Sequence, residues 1–269
     1  MLDVPTVRLR DLADRYEVFL VDQYGVLHDG ARAYEGTVDA LTRLKAAGGR
    51  IAILSNSGKR SAPNAERLFR LGFAPPLYDT FMTSGEVAWR GLRDRTLPAP
   101  YAAAERVFLI GRGDARSAIE GLDLRRVDRA GDADLILISG SEGDTRPLSH
   151  YRALLAGAAA AGTPCICSNP DITMLTEIGP AFGAGAIADL YEQLGGHVLR
   201  IGKPDGTIYQ FALEDLDASA EGGRVVGIGD SLDHDILGAN AAGLRSALVR
   251  SGVHAPESDE TLAVLMRAL

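Results

Sequence analysis

Residues 18–25 read VFLVDQYG, a short apolar run that ends in an acidic residue and a glycine turn. A short apolar run bounded by polar groups is typical of a buried strand. Three further apolar runs end in reactive side chains, and these ends read LSNSG at 54–58, IGKP at 201–204 and IGDSLDHD at 228–235. Ligands of open α/β sheets bind beyond the carboxyl ends of the strands, so the four ends predict one shared site.

Amphipathic segments separate these and other apolar runs, and the alternation predicts an α/β fold with parallel sheets. Helices are expected at about 36–47, at 61–71, from 83 onward and at 151–161. Proline-rich residues 97–100 and the glycine pair 195–196 indicate breaks between domains. We therefore predict a discontinuous core of residues 1–97 and 194–269, interrupted by an α/β cap at 98–193.

The composition limits the function classes. The chain has 269 residues, 46% of them hydrophobic, and a net charge of −8, which is typical of a globular protein and not of a nucleic-acid binder. No apolar stretch reaches the roughly 20 residues that span a bilayer, and the first residues do not resemble a secretion signal. Cys165 and Cys167 fit buried thiols of a reducing compartment. A cytoplasmic protein without nucleic-acid or membrane partners is the prediction.

The residues at the strand ends suit phosphoryl transfer. Asp22 can attack phosphorus and form an acyl phosphate that water then cleaves. Mg²⁺ held by Asp22 and Asp230 would offset the repulsion between two anions. The Ser55 hydroxyl and the Lys203 ammonium could hold phosphate oxygens. Each residue alone is also compatible with a structural role in a turn or a helix cap. Their order along the chain and their places at strand ends, taken together, favour a catalytic role.

In order, the four segments resemble the four motifs of the haloacid dehalogenase superfamily, most members of which are Mg²⁺-dependent phosphatases. Asp22 and Ser55 lie too close in sequence for a large insertion, whereas Ser55 and Lys203 are about 150 positions apart, enough for a domain. This spacing resembles class IIA, whose α/β cap lies between motifs two and three and whose members resemble nitrophenylphosphatases and N-acetylglucosamine-phosphate or pyridoxal-phosphate phosphatases. SNPD at 168–171 and GAGA at 183–186 resemble cap segments of that branch.

The resemblance implies a Rossmann-like core, a small phosphorylated metabolite as substrate, Mg²⁺ as cofactor and a homodimer formed through the cap. Asp22 would be the nucleophile, and Ser55 and Lys203 would bind phosphate. The metal would take Asp22, the main-chain carbonyl of Tyr24 and Asp230, with Asp235 bound directly or through water. Further contacts to phosphate or substrate would come from Asn56, Ser57, Asn169, Pro170 and Asp171. For residues 169–171, a turn that closes a cap strand is an equal alternative.

Tyr24 departs from the superfamily pattern, which has a second aspartate at this position to protonate the leaving group and activate water. A tyrosine with a pKa near 10 is a poor general base at neutral pH. Tyr24 also resembles the first motif of the haloacid dehalogenases themselves, which use no metal and lack an acidic fourth motif. A subset of class IIA sequences likewise has an aromatic residue here, followed by GVLHDG. Two alternatives stay open: a 2-haloacid dehalogenase, and a phosphometabolite-binding protein that has lost turnover.

Three histidines lie near the motifs, and one of them, His28, could replace the missing acid–base group. His28 follows the first motif, His234 lies within the fourth, and His254 comes after it. A packing or capping role in the loop is the more frequent one for a histidine such as His28.

Overall fold

The computed structural model describes residues 6–113, 115–176 and 179–250. Its strands, β1 to β12 in chain order, are Val18–Asp22, Arg50–Ser55, Thr80–Thr83, Arg106–Ile110, Arg125–Arg126, Leu135–Ile138, Cys165–Cys167, Thr173–Thr176, Gly179–Phe182, Val198–Arg200, Val225–Gly229 and Arg245–Leu248. Its helices, α1 to α8, are Leu9–Ala13, Thr37–Ala46, Ser61–Arg70, Ser84–Arg93, Leu148–Ala160, Ala184–Gln193, Thr207–Asp215 and Leu237–Ala241. The predicted α/β class is confirmed.

The described residues divide into two compact units, and the first contains 6–55, 62–82 and 203–250. Its sheet has the strand order β12-β11-β1-β2-β3, in which β1 pairs in parallel with both β11 and β2. All five residues of β1 are buried, as expected for a parallel strand covered on both faces. The core around this sheet includes Phe19, Val21, Leu41, Leu44, Ile51, Ile53, Leu68 and Phe73.

The second unit contains residues 56–61 and the described part of 83–202. Its parallel sheet has the order β10-β7-β6-β4-β5, and β8 and β9 form a separate antiparallel hairpin. Helices α5 and α6 contribute apolar side chains to its core, which includes Ile136, Ile138, Tyr151, Leu155, Cys165, Cys167, Ile187 and Tyr191. Each of the two units therefore has its own parallel sheet and its own apolar core.

The unit division places residues 56–61, 83–97 and 194–202 in the second unit, whereas the prediction assigned them to the core. Helix α4 lies in the second unit, because its N-cap Thr83 donates to the Lys59 carbonyl at 2.8 Å and its Glu86 pairs with Arg60 at 2.6 Å. Strand β10 pairs with β7, so it belongs to the second sheet and not to the core segment 194–269. An apolar run such as 198–201 has the same pattern in either sheet, and only the long-range strand pairing decides which sheet it joins.

Among the described residues, no helix combines the length and the apolar character that a membrane span requires. His254 lies outside the described residues.

Candidate active site

Three neighbouring strands of the first sheet end in predicted site residues. Asp22 is the last residue of β1, Ser55 is the last residue of β2, and Asp230 directly follows β11. Strand β1 lies between β2 and β11. The chain continues from β1 to β2 and β3 on one side of the sheet, and from β11 to β12 on the other side. Such a switch point leaves a crevice beyond the strand ends, and the sheet order therefore explains why the three residues meet.

Three buried carboxylates lie together at this crevice. Asp22, Asp230 and Asp235 each place an oxygen within 4.8 Å of the other two. Asp235 reaches the group from a π turn, Leu232–Ile236, whose N-cap is Ser231. The Ser231 backbone N–H donates to Oδ2 of Asp235 at 3.1 Å, and the Tyr209 hydroxyl donates to its main-chain carbonyl at 3.1 Å. A single π turn often marks a functional site, and here it turns the fourth motif toward the nucleophile.

Lys203 completes the buried charge cluster from the loop before α7. Its Nζ donates to Oδ1 of Asp22 at 2.5 Å and to Oδ1 of Asp235 at 2.7 Å. The lysine is only 3% exposed, so these contacts are shielded from solvent. The structure thus brings together Asp22, Asp230, Asp235 and Lys203, all of which the sequence predicts.

Burial and neighbouring charges act against each other on the pKa values of Asp22 and Lys203, and both pKa values are raised. Burial raises the pKa of Asp22 well above its ordinary value, although Lys203 acts against this rise. Burial alone would lower the pKa of Lys203, but Asp22 and Asp235 outweigh it and hold the pKa well above its usual range. These shifts favour the ammonium form of Lys203, and a further positive charge beside Asp22 would favour its ionised carboxylate.

The donor set fits a magnesium ion. Three carboxylates provide hard oxygen ligands, which Mg²⁺ prefers. The ammonium of Lys203 offsets one of their three negative charges, and a divalent cation would offset the other two. Such an ion would also lower the pKa of Asp22 and keep its carboxylate ionised.

Tyr24 lies on a tight turn that folds back onto the site. The Gly25 N–H donates to the His28 carbonyl at 2.9 Å, and the rings of Tyr24 and His28 meet edge to face at a centroid distance of 5.7 Å. Partial burial raises the pKa of Tyr24, and Asp29 pushes it the same way. Its hydroxyl therefore keeps its proton at neutral pH. Gly25 has φ +85° and lies directly against the Asp230 carboxylate, leaving no room for a side chain.

A buried polar network lies beside Ser55, and the sequence pattern does not predict it. Gln23 Nε2 donates to Ser55 Oγ at 2.6 Å, and Gln23 Oε1 lies 3.4 Å from Nε2 of His28. His28 is 1% exposed, and burial lowers its pKa to about 4. A neutral, enclosed imidazole does not fit the role of acid–base group. The available signal was Gln23 itself, a polar residue between the nucleophile and Tyr24.

The remaining predicted residues lie in the second unit. Asn56 follows Ser55 in sequence and donates from Nδ2 to Oδ1 of Asp171 at 2.8 Å. Asn169 accepts from the Asp171 N–H at 3.3 Å in an Asx turn, which fits the turn interpretation of residues 169–171. The Ser57 hydroxyl accepts a hydrogen bond from the Lys59 N–H at 3.3 Å. Pro170 lies close to Gly202, since a hypothetical Cβ on that glycine would be 3.0 Å from the Pro170 Cδ. Contact of these residues with a substrate stays a prediction.

Two family models match two separate segments of the chain. Residues 19–125 match a model described as haloacid dehalogenase-like hydrolase, and residues 200–265 match one described as HAD-hydrolase-like. The first match contains motifs one and two, and the second contains motifs three and four.

Curated and solved relatives extend the match over nearly the whole chain. Chronophin from Rattus norvegicus is 31% identical over 254 residues, which cover 93% of this chain and 81% of chronophin. A haloacid dehalogenase-like hydrolase from Brucella suis 1330 is 32% identical with a TM-score of 0.82, covering 94% of this chain and 95% of that one. Glycerol phosphate phosphatase from Mycobacterium tuberculosis, solved with magnesium, is 31% identical with a TM-score of 0.72, covering 90% and 70% of the two chains.

Proposed function

The chain belongs to the haloacid dehalogenase-like hydrolases, and on that premise we propose that it is a Mg²⁺-dependent phosphatase of small phosphorylated metabolites. The family, its class IIA branch and the α/β fold predicted from the motifs are confirmed by these matches. Membership in the subset with an aromatic residue at position 24 stays a prediction. The observation that carries the proposal is the buried cluster of Asp22, Asp230, Asp235 and Lys203.

In the proposed reaction, a carboxylate oxygen of Asp22 attacks phosphorus and the bond from phosphorus to the leaving oxygen breaks. Water then attacks the phosphorus of the aspartyl phosphate and releases inorganic phosphate and Asp22. Lys203 neutralises charge on Asp22 and on the phosphoryl oxygens, and Ser55 donates its hydroxyl to one of them. Both side chains are held in place before substrate binds, so little reorganisation is needed during the reaction.

Asp22, Asp230 and the main-chain carbonyl of Tyr24 are the proposed ligands of Mg²⁺, with Asp235 as a direct ligand or one acting through water. Bound there, the ion would supply Lewis-acid stabilisation of phosphoryl charge. Hydrogen bonds from Lys203 and Ser231 already occupy oxygens of Asp235, which favours the indirect role for this carboxylate.

Tyr24 predicts a preference for good leaving groups. The usual second aspartate would protonate a departing alkoxide, and the high-pKa phenol of Tyr24 is a weak substitute for it. Aryl and acyl phosphates need no such proton. We expect kcat/KM for p-nitrophenyl phosphate to exceed that for glycerol 3-phosphate, and equal values would contradict this expectation.

The proposed activity is tested by phosphate release from p-nitrophenyl phosphate with Mg²⁺ and with EDTA. Asp22→Asn should abolish the Mg²⁺-dependent release, because the amide oxygen is a poor nucleophile. The matched control is Asp233→Asn, which changes an exposed aspartate outside the carboxylate cluster and should leave the rate unchanged. Release that persists in Asp22→Asn would refute the mechanism.

The two alternatives have their own assays. Chloride release from 2-chloropropionate in EDTA would support a dehalogenase, which Tyr24 favours and the acidic fourth motif opposes. Tight phosphate binding without hydrolysis across aryl, acyl and sugar phosphates would support a binding protein.

The remaining parts of the prediction are also proposals. Nested domains with the second unit as the cap are supported by the unit division. A cytoplasmic location is supported by the burial of Cys165 and Cys167, which suits thiols of a reducing compartment. A homodimer through the second unit rests on family resemblance, and gel filtration with light scattering tests it. The absence of nucleic-acid and membrane partners rests on the acidic composition.

A further inference from the structure

We propose that His28 and Gln23 are positioning residues that turn the proton of the Ser55 hydroxyl toward the bound phosphate. The inference deepens the proposed function and rests on it, because Ser55 has to contact the phosphoryl group. All three residues are buried, with exposures of 1% for His28, 7% for Gln23 and 5% for Ser55. They form a directional chain of hydrogen bonds that starts at the main chain.

The first step fixes the tautomer of His28. The backbone N–H of Gly30 lies 2.9 Å from Nδ1 of His28 and can only donate. Nδ1 must therefore accept, and a neutral imidazole then carries its single proton on Nε2. The ring position is held on its other side by the edge-to-face contact with Tyr24.

The second step fixes the amide of Gln23. Since Nε2 of His28 carries the proton, the Gln23 atom that faces it at 3.4 Å has to be the acceptor, Oε1. The Gln23 amide nitrogen then faces Ser55, where it donates to Oγ at 2.6 Å. The opposite amide orientation would place two donors against each other at His28.

The third step concerns the hydroxyl. An O–H group has one proton, so a Ser55 Oγ that accepts from Gln23 directs its own proton away from Gln23. A phosphate oxygen is acceptor-only and strongly negative, so it takes such a proton in a charge-assisted hydrogen bond. Without Gln23, the hydroxyl could rotate and would have to be reoriented each time phosphate binds.

A double-mutant cycle tests this chain. Gln23→Met keeps the length of the side chain and removes both hydrogen bonds, and Ser55→Ala removes the hydroxyl on which Gln23 is proposed to act. Inorganic phosphate affinity with Mg²⁺, measured by calorimetry, is the readout, with kcat/KM for p-nitrophenyl phosphate beside it. We expect Gln23→Met to weaken phosphate binding about ten-fold, the effect of weakening one hydrogen bond to a charged group.

In the Ser55→Ala background, the same Gln23→Met change should have almost no further effect on phosphate affinity. A merely structural role for Gln23 would instead weaken binding by the same factor in both backgrounds, and that result would overturn the proposal. His28→Phe keeps a ring against Tyr24, removes the Nε2 proton and should give a smaller loss of about three-fold, which Ser55→Ala also suppresses. Gln193→Met, on an exposed part of α6, is the control for the substitution itself.

A second variant does not depend on measurable binding by Ser55→Ala. Gln23→Glu replaces the donor by an acceptor, so the Ser55 proton would turn toward residue 23 and away from phosphate. It should weaken phosphate binding more than Gln23→Met does, and phosphate affinity equal to that of the wild type would overturn the proposal. Phosphate binding requires no turnover, so absence of hydrolysis in the wild type would refute the proposed function while the cycle still tests the inference.

Discussion

Gly25 gives the sharpest test of the carboxylate cluster. Its φ of +85° lies in the left-handed region, and the three atoms nearest to a hypothetical Cβ are all of the Asp230 carboxylate, the farthest of them at 3.0 Å. An alanine here would therefore strain the backbone and also displace a proposed metal ligand. Gly48 has nearly the same conformation, with φ +86°, and a Cβ there would meet nothing within 4 Å. Gly48→Ala thus isolates the backbone effect.

The two effects have different expected magnitudes. The left-handed conformation costs a residue with a Cβ about 1–2 kcal/mol, which lowers Tm by about 2–8 °C in a chain of this size. Both variants should show this loss. Changes to the groups that orient metal ligands weaken metal binding by about 10–100-fold, and only Gly25→Ala should show it. In free energy, this weaker binding corresponds to about 1.4–2.8 kcal/mol.

Calorimetric titration with Mg²⁺ and thermal unfolding with and without Mg²⁺ measure both effects in the same preparations. Gly25→Ala should lose Mg²⁺ affinity and much of the stabilisation by Mg²⁺, while Gly48→Ala should bind Mg²⁺ as the wild type does. Equal Mg²⁺ affinity in the two variants would refute the placement of Asp230 as a ligand supported by Gly25.

Three further predictions concern Lys203, Tyr24 and the cysteines. Lys203→Met leaves two buried carboxylates without their ammonium, and it should lower the free energy of unfolding, measured with urea in EDTA, by about 3–5 kcal/mol. The control Lys45→Met, whose pair with Asp79 is half-exposed, should lower it by about 0–1 kcal/mol. Similar losses in the two variants would show that the buried cluster is not stabilised by Lys203. Tyr24→Asp restores the usual acid and should raise kcat/KM on glycerol 3-phosphate relative to p-nitrophenyl phosphate, whereas a fall on every substrate would argue against Tyr24 as the cause of the leaving-group preference. Burial raises the pKa of Cys167 to about 11, so its thiolate fraction at pH 8 is about one in a thousand. Ellman's reagent should therefore label both cysteines only when the chain unfolds. Rapid labelling of the folded chain would contradict their burial.

The sequence predicts those parts of the site that follow from strand order. Asp22, Ser55 and Asp230 each end an apolar run, and parallel strands put such ends at one edge, so their convergence follows from the pattern. The pairing of Lys203 with Asp22 joins residues 181 positions apart, and only the folded chain shows that Nζ also reaches Asp235. Placement of β10 was not predictable for the same reason, because its apolar run suits either sheet.

Gln23 and Gly25 illustrate a different limit of sequence reasoning. Both lie inside the first motif, yet their roles depend on which way the turn after β1 folds. The N–H groups of Leu27 and His28 donate to the Gln23 carbonyl at 2.9 and 3.2 Å, and this closes the turn over the crevice. Closure puts Gly25 against Asp230 and His28 beside the Gln23 amide. Residue types and spacing do not specify such contacts.

One turn thus supports the proposed sites of both ligands, through the two residues that flank Tyr24. Gly25 contacts a carboxylate proposed to hold Mg²⁺, and the Gln23 side chain contacts the hydroxyl proposed to hold phosphate. If the turn is rigid, the two functions separate: Gly25→Ala weakens Mg²⁺ more than phosphate, and Gln23→Met weakens phosphate with little change in Mg²⁺ affinity. If the turn instead moves as a whole, either variant weakens both ligands by similar factors. Measuring the Mg²⁺ and phosphate affinities of both variants therefore decides whether the turn that carries Tyr24 is rigid or changes its conformation as ligands bind.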